Sequence, residues 1–124
     1  MSEVLPLRWS AALRGPFRLL GMGPSRSGVT VDGGSIDVRL GWAFRSRFPR
    51  AAVRSAAHDR GRVTGWGVHG MRGRWLVNAA SSGLVRLERD PPAAGRVLGL
   101  PVRVRTLRVG LEQPDRLLAA AGGR

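Results

Sequence analysis

Val29 and Val31 alternate with polar neighbours, Asp32-Gly33-Gly34 follows, and Ile36, Val38 and Leu40 alternate with Asp37 and Arg39. Apolar residues at every second position turn one face of a strand toward a core, so this stretch predicts a β-hairpin whose turn tolerates positive φ. Gly41 interrupts the pattern. Trp42, Phe44 and Phe48, interleaved with Arg45 and Arg47, predict a half-buried strand ending at Pro49. Ala51 to Ala57 reads equally as a short helix or a short strand, since alanine favours the first while the preceding proline and the single large apolar residue, Val53, favour the second. Trp75, Val77 and Ala79, then Val85 and Leu87, alternate on either side of Ser81-Ser82-Gly83 and predict a second hairpin.

Asp90-Pro91-Pro92 reads as a stop. Beyond it Val102 and Val104 alternate with Arg103 and Arg105, and Leu107, Val109 and Leu111 alternate on the opposite parity. A strand changes parity only through a bulge or bend, which places one near Thr106. Gln113-Pro114-Asp115 then opens a helix with proline at its first position and an acid in its first turn; Leu117, Leu118 and Ala121 form its apolar face and Gly122-Gly123 ends it. Toward the N-terminus, Pro6, Pro16 and Pro24 with four glycines allow only short helical pieces at Leu7 to Leu13 and Phe17 to Leu20. Many short strands followed by one helix, with no βαβ alternation, predict a mainly β fold: a small bent antiparallel barrel capped by the C-terminal helix. The expected organisation is an irregular N-terminal segment, 1–27, packed on a domain of 28–121, with a tail of 122–124.

A chain of 124 residues fits one compact core, and its 43% apolar content is compatible with folding. There is no cysteine, which excludes disulfides, thiolate metal sites and cysteine nucleophiles. The longest apolar run, Leu117 to Ala121, is far below the roughly 18 residues of a membrane span. No integral membrane segment or signal peptide is expected, and the expected setting is cytoplasmic, with peripheral membrane attachment as an option.

All 21 basic residues are arginine and the net charge is +13. Arginine at every basic position, with abundant alanine and glycine, is also what high-GC coding produces, so placement carries more meaning than the total. Between residues 38 and 87 ten arginines face a single acid, Asp59. Such a field attracts anionic partners and makes association sensitive to salt.

Gly65-Trp66-Gly67-Val68-His69-Gly70 matches the spacing of a dinucleotide-binding loop, with Glu88 near the place of a ribose-binding acid. That chemistry needs a buried strand before the first glycine. Here His58-Asp59-Arg60-Gly61-Arg62-Val63-Thr64 has one large apolar residue, so the six glycines from 61 to 83 read as turns and bulges between strands. An enzyme built on this loop would need His69 and Glu88 to line one pocket. His58 and His69 lack a third imidazole or thiolate for a metal site, His58 reads as lying in a polar loop, and no serine sits in a nucleophile-elbow context. Asp37, Asp59, Glu88 and Asp90 are separate and flanked by arginine, and read as charge partners. The expectation is a protein without catalysis or cofactor.

Arg45, Arg47, Arg50, Trp66, His69, Arg72 and Arg74 form the candidate binding face, with Arg103, Arg105 and Arg108 as a further outward stripe. Guanidinium and indole together suit phosphate contact and base stacking. Trp42 and Trp75, however, share the parity of apolar neighbours and read as core, which leaves Trp66 as the stacking candidate.

The hairpin from Val29 to Trp42, the Phe48-Pro49-Arg50-Ala51-Ala52-Val53 junction, the Trp75-Leu76-Val77-Asn78 and Gly83-Leu84-Val85 segments, and the ending from Leu107 to Leu118 resemble bacterial PH-like domains, in particular short proteins of high-GC actinobacteria. The resemblance covers about residues 28–121 and implies a seven-stranded bent barrel closed by a C-terminal helix. The basic loop that binds phosphoinositides in PH domains has no counterpart, because the matching turn, Asp32-Gly33-Gly34, is short and acidic. Gln113 stands where the family usually has a capping Asp. The leading expectation is an interaction module whose basic face docks a protein or an anionic membrane surface; the alternative is single-stranded nucleic-acid binding.

Overall fold

A computed structural model describes residues 3–9, 15–16, 18–20, 23, 27–59, 67–71, 73–78 and 83–121, with the backbone alone at 67–71 and 89–93. The chain is mainly β: among the described residues nine strands curl into one sheet, and a C-terminal helix closes one end. The strands are β1 (Glu3–Leu5), β2 (Ser27–Val31), β3 (Ser35–Leu40), β4 (Phe44–Pro49), β5 (Val53–His58), β6 (Gly67–Met71), β7 (Arg74–Asn78), β8 (Leu84–Val97) and β9 (Leu100–Gly110); the helix, α1, is Pro114–Ala120. The sheet runs β1-β2-β3-β4-β8-β9-β7-β6, with β5 paired to β8.

The first hairpin forms where the alternation places it, with Val31 opposite Ile36. Its turn needs no positive φ, since neither Gly33 nor Gly34 adopts one. Instead the Asp32 carboxylate accepts the backbone N–H groups of Gly34 at 2.9 Å and Ser35 at 2.7 Å, so the side chain itself closes the turn. Asp32 is held below its ordinary value by the Gly34 N–H first, then by the Ser35 N–H and hydroxyl, with Arg47 adding its charge. Residues 50–52 form one 3-10 turn, and the ambiguous alanine stretch continues as strand β5.

The predicted hairpin between β7 and β8 does not form. β9 lies between them, antiparallel to β8 and parallel to β7, the one parallel pairing among the described strands. Nor does Asp90-Pro91-Pro92 stop the chain: β8 passes straight through it. From Glu88 to Ala93 the strand takes five steps while its partner takes two, from Thr106 to Val104. Proline lacks an N–H, and an interrupted ladder asks for none.

The parity change in β9 is present, as Val104 and Leu107 are both fully buried three positions apart. Its cause is a shared acceptor: the N–H groups of Arg105 and Thr106 both donate to the Gly73 carbonyl, at 2.8 and 3.0 Å. Two residues of β9 thus oppose one of its neighbour, the signature of a bulge. The bulges in β8 and β9 face one another and bend the sheet. One edge of β8 therefore serves two partners, β4 along Gly95 to Val97 and β5 along Val85 to Arg89.

The concave side holds the core, including Val38, Phe44, Phe48, Leu87, Leu107 and Leu117. The N-terminal stretch is not irregular throughout. Glu3–Leu5 pairs with β2, Leu7 bridges Leu111 beyond β9, and Leu5 and Leu7 are buried, so a short segment ties the β2 edge to the end of β9. Of the two predicted N-terminal helical pieces, the described part of the first is extended; the second has a helical bond from the Leu20 N–H to the Pro16 carbonyl at 3.2 Å. In α1, Pro114 occupies the first turn, Leu117 points into the core, and the Gln113 side chain makes no capping bond. The predicted Gly122-Gly123 stop lies outside the described residues.

Candidate functional site

The dinucleotide-type loop fails on backbone grounds. Gly67 and Gly70 both lie within β6, an extended strand antiparallel to β7, where the motif requires a strand-to-helix turn. Gly65, Trp66 and the strand expected before them lie outside the described residues. His69 pairs with Leu76 on β6 while Glu88 is on β8, with β7 and β9 between them, so three strand spacings of ~4.8 Å separate their backbones by roughly 14 Å. His58 ends β5 rather than sitting in a loop, and its Nε2 lies 2.8 Å from the Asp115 carboxylate of α1. Asp37 pairs with Arg45 at 3.3 Å and Asp59 with Arg108, while Glu88 accepts a bond from the Ser55 hydroxyl at 3.1 Å.

The predicted basic face divides. Arg45 and Arg47 stand exposed on the convex side of β4. Arg50 serves the fold: it is half-buried, and its Nε donates to the Ala120 carbonyl at 2.7 Å, fastening the last turn of α1 to the end of β4. Arg74 is exposed at the start of β7, but β8 and β9 intervene between it and β4, so it belongs to a different patch. Trp66 and Arg72 lie outside the described residues, and of His69 only the backbone is placed. In the later stripe Arg103 and Arg105 are exposed, but Arg108 is half-buried and paired with Asp59.

Strand register adds residues that periodicity could not assign to the same place. Arg39 of β3 is opposite Arg45 of β4, and Arg45 is opposite Arg96 of β8. Residues directly opposite in antiparallel strands share a face and stand about 5 Å apart, so three exposed arginines form one row across three strands. Next to it Asp37 of β3 is opposite Arg47 of β4, and Ala94 of β8 is opposite Arg103 of β9. The small Ala94 keeps the ground between these side chains low, and a shallow depression of about 460 Å³ is lined by Arg45, Arg47, Ala94, Arg96 and Pro101. Like charges directly opposite destabilise a sheet by roughly 0.2–1 kcal/mol per pair. Arg39 and Arg103 make no ion pair among the described residues.

Trp42 is not core. Gly41 takes φ +49 and swings the chain into a turn before β4 begins at Phe44, so the indole falls outside the strand parity and is 58% exposed. Its Nε1 donates to the Leu20 carbonyl. Trp75 is half-buried against the core, with its Nε1 donating to the Arg103 carbonyl at 3.1 Å. Beside the Trp42 turn lies the β8–β9 hairpin, whose Leu98 N–H donates to the Ala43 carbonyl at 2.9 Å. Sequence reading missed this hairpin; its signal is the Leu98-Gly99 dipeptide between Val97 and Leu100.

Among the described residues no three histidine, aspartate or glutamate side chains stand together as a metal site, and no helix is long and apolar enough to cross a membrane. Compared with known proteins, the chain matches no family model, no curated protein and no solved structure.

Proposed function

We propose that the protein is a non-catalytic, PH-like interaction module that docks an anionic partner surface on the convex face of β3, β4 and β8. The observation that carries this reading is the row Arg39, Arg45, Arg96, three exposed guanidiniums in cross-strand register. Side chains placed this way repel one another in the free protein and are relieved when phosphate or carboxylate groups lie over them, which gives the row differential affinity for an anion. The curled sheet with its C-terminal helix supports the PH-like resemblance in outline, while the nine described strands and the parallel β7–β9 pair depart from the seven-stranded barrel that the resemblance implies. The turn that corresponds to the phosphoinositide loop does not serve here, because the Asp32 carboxylate is engaged in its own hairpin.

Immobilised heparin is a suitable polyanionic probe. Replacing Arg39, Arg45 and Arg96 together with Gln is expected to lower the salt needed for elution well below that of a control in which exposed Arg18, Arg54 and Arg86 become Gln. The two triple variants carry the same net charge. Equal elution would show that total charge governs retention and would remove the assigned face.

A further inference from the structure

The end of the sheet next to the arginine row is unusually apolar for an exposed surface. Trp42, Leu98 and Leu100 are 58%, 59% and 67% exposed, and Leu19 and Leu20 are exposed beside the Trp42 indole. Leu98 is also the one non-glycine residue with positive φ among the described residues, at +51, followed by Gly99 at +82. Two successive positive φ values define the two-residue turn that favours Asn-Gly or Gly-Gly, and a branched apolar side chain there is strained. Burial does not offset that strain, because the side chain faces solvent. Its N–H is held by the Ala43 carbonyl, but the strained and exposed apolar side chain is placed for contact with a partner outside the chain.

The depth of these residues indicates what kind of partner. Arg96 precedes Leu98 by two residues, Arg39 precedes Trp42 by three, and Leu100, opposite Val97, lies one register step beyond Arg96; at ~3.3 Å per strand residue the guanidinium row originates roughly 3–10 Å behind the apolar residues. Amphipathic elements at a bilayer bury their apolar face ~5–10 Å into the headgroup and acyl boundary. A tip at the acyl boundary therefore sets the arginines at the level of the lipid phosphates, and tryptophan is enriched at that interface. The aliphatic Leu98 and Leu100 offer a nucleic-acid strand nothing to stack on.

We infer that the anionic partner of this face is a phospholipid bilayer, and that Trp42, Leu98 and Leu100 enter its interface while Arg39, Arg45 and Arg96 contact headgroup phosphates. This rests on the basic-face reading above and adds insertion to it. The decisive substitution is Leu98→Asn, which suits the positive φ and removes the apolar contact. It is expected to raise the melting temperature while weakening binding to phosphatidylcholine vesicles containing phosphatidylglycerol by about tenfold, the order of one buried leucine. Vesicles with brominated acyl chains are expected to quench wild-type fluorescence more strongly than that of Trp42→Phe, which isolates Trp42 from the other three tryptophans.

Undiminished vesicle binding by Leu98→Asn, or equal quenching in Trp42→Phe, would overturn insertion while leaving a purely electrostatic face. A wild-type protein retained on heparin that ignores vesicles, or that binds polyuridine instead, would overturn the bilayer as partner and keep the basic face. Retention on neither heparin nor vesicles would remove both.

Discussion

At the helix end, three ion pairs join separate elements: Glu3 reaches Arg116, Asp115 reaches His58, and Asp59 holds Arg108, which faces Arg86 across β8 and β9, against the sheet. At the hairpin end, three arginines share a row in which Asp37 reaches only Arg45, and the turns beside it expose Trp42 and Leu98. The first end finds partners for its carboxylates within the chain. The second carries repulsion, strain and exposed apolar surface together, all of which a partner would relieve. One sheet thus concentrates its stabilising contacts at one end and leaves binding potential at the other.

Substitutions separate the two ends. The largest expected effect is at the helix end, where Leu117→Ala opens a cavity beneath α1 and costs about 3 kcal/mol in chemical denaturation. Gly83→Ala follows. Gly83 has φ +75, and an added Cβ would sit 2.4 Å from the Leu111 carbonyl oxygen, so an overall loss of about 2–3 kcal/mol is expected. Both variants should lose stability, yet while folded should elute from heparin as the wild type does. Removing the arginine row has the reverse signature: Arg39, Arg45 and Arg96 replaced by Gln should reduce retention while leaving stability within about 1 kcal/mol of wild type, because relief of the cross-strand repulsion is offset by loss of the Arg45–Asp37 pair and of the Arg96 bond to the Gly99 carbonyl. A triple variant destabilised by clearly more than that would show that the row serves the fold and would collapse the contrast between the ends.

The smallest effect concerns pH. Folding lowers the Asp32 pKa, so its contribution is complete above the ordinary value of 3.8 and disappears as pH falls through the lowered folded value. The melting-temperature gap between wild type and Asp32→Ala should stay constant near neutrality and close in acid. A gap that persists at the lowest pH would mean that the charge is not what closes the turn.

Features encoded by neighbours in sequence were legible. The β2–β3 hairpin needs only two alternating runs and a turn, and the parity change at Thr106 is written in six consecutive residues. The β7–β9 pairing was not legible, because parallel partners are brought together by a crossover that no local pattern reports. Pro91 and Pro92 read as a stop because a proline in a bulge looks, in sequence, like a proline that ends a strand. The candidate site shows the same limit: alternation gave Arg45 and Arg47, but joining Arg39 and Arg96 to them required knowing which strands are neighbours. Leucine at a positive-φ turn position, as at Leu98, reads in sequence as strand continuation.

The carbonyl of Gly73 that accepts two successive N–H groups has a consequence for chain length. Were Arg105 deleted, Val102, Val104, Leu107 and Val109 would fall on one unbroken alternation, still turned inward. What would vanish is the β9 half of the corner, leaving the wider β8 interruption opposite an unbulged strand. A sheet that curls less leaves straighter edges, and straight edges with unpaired N–H and C=O groups template pairing between molecules. One surplus residue thus helps to keep the sheet curled.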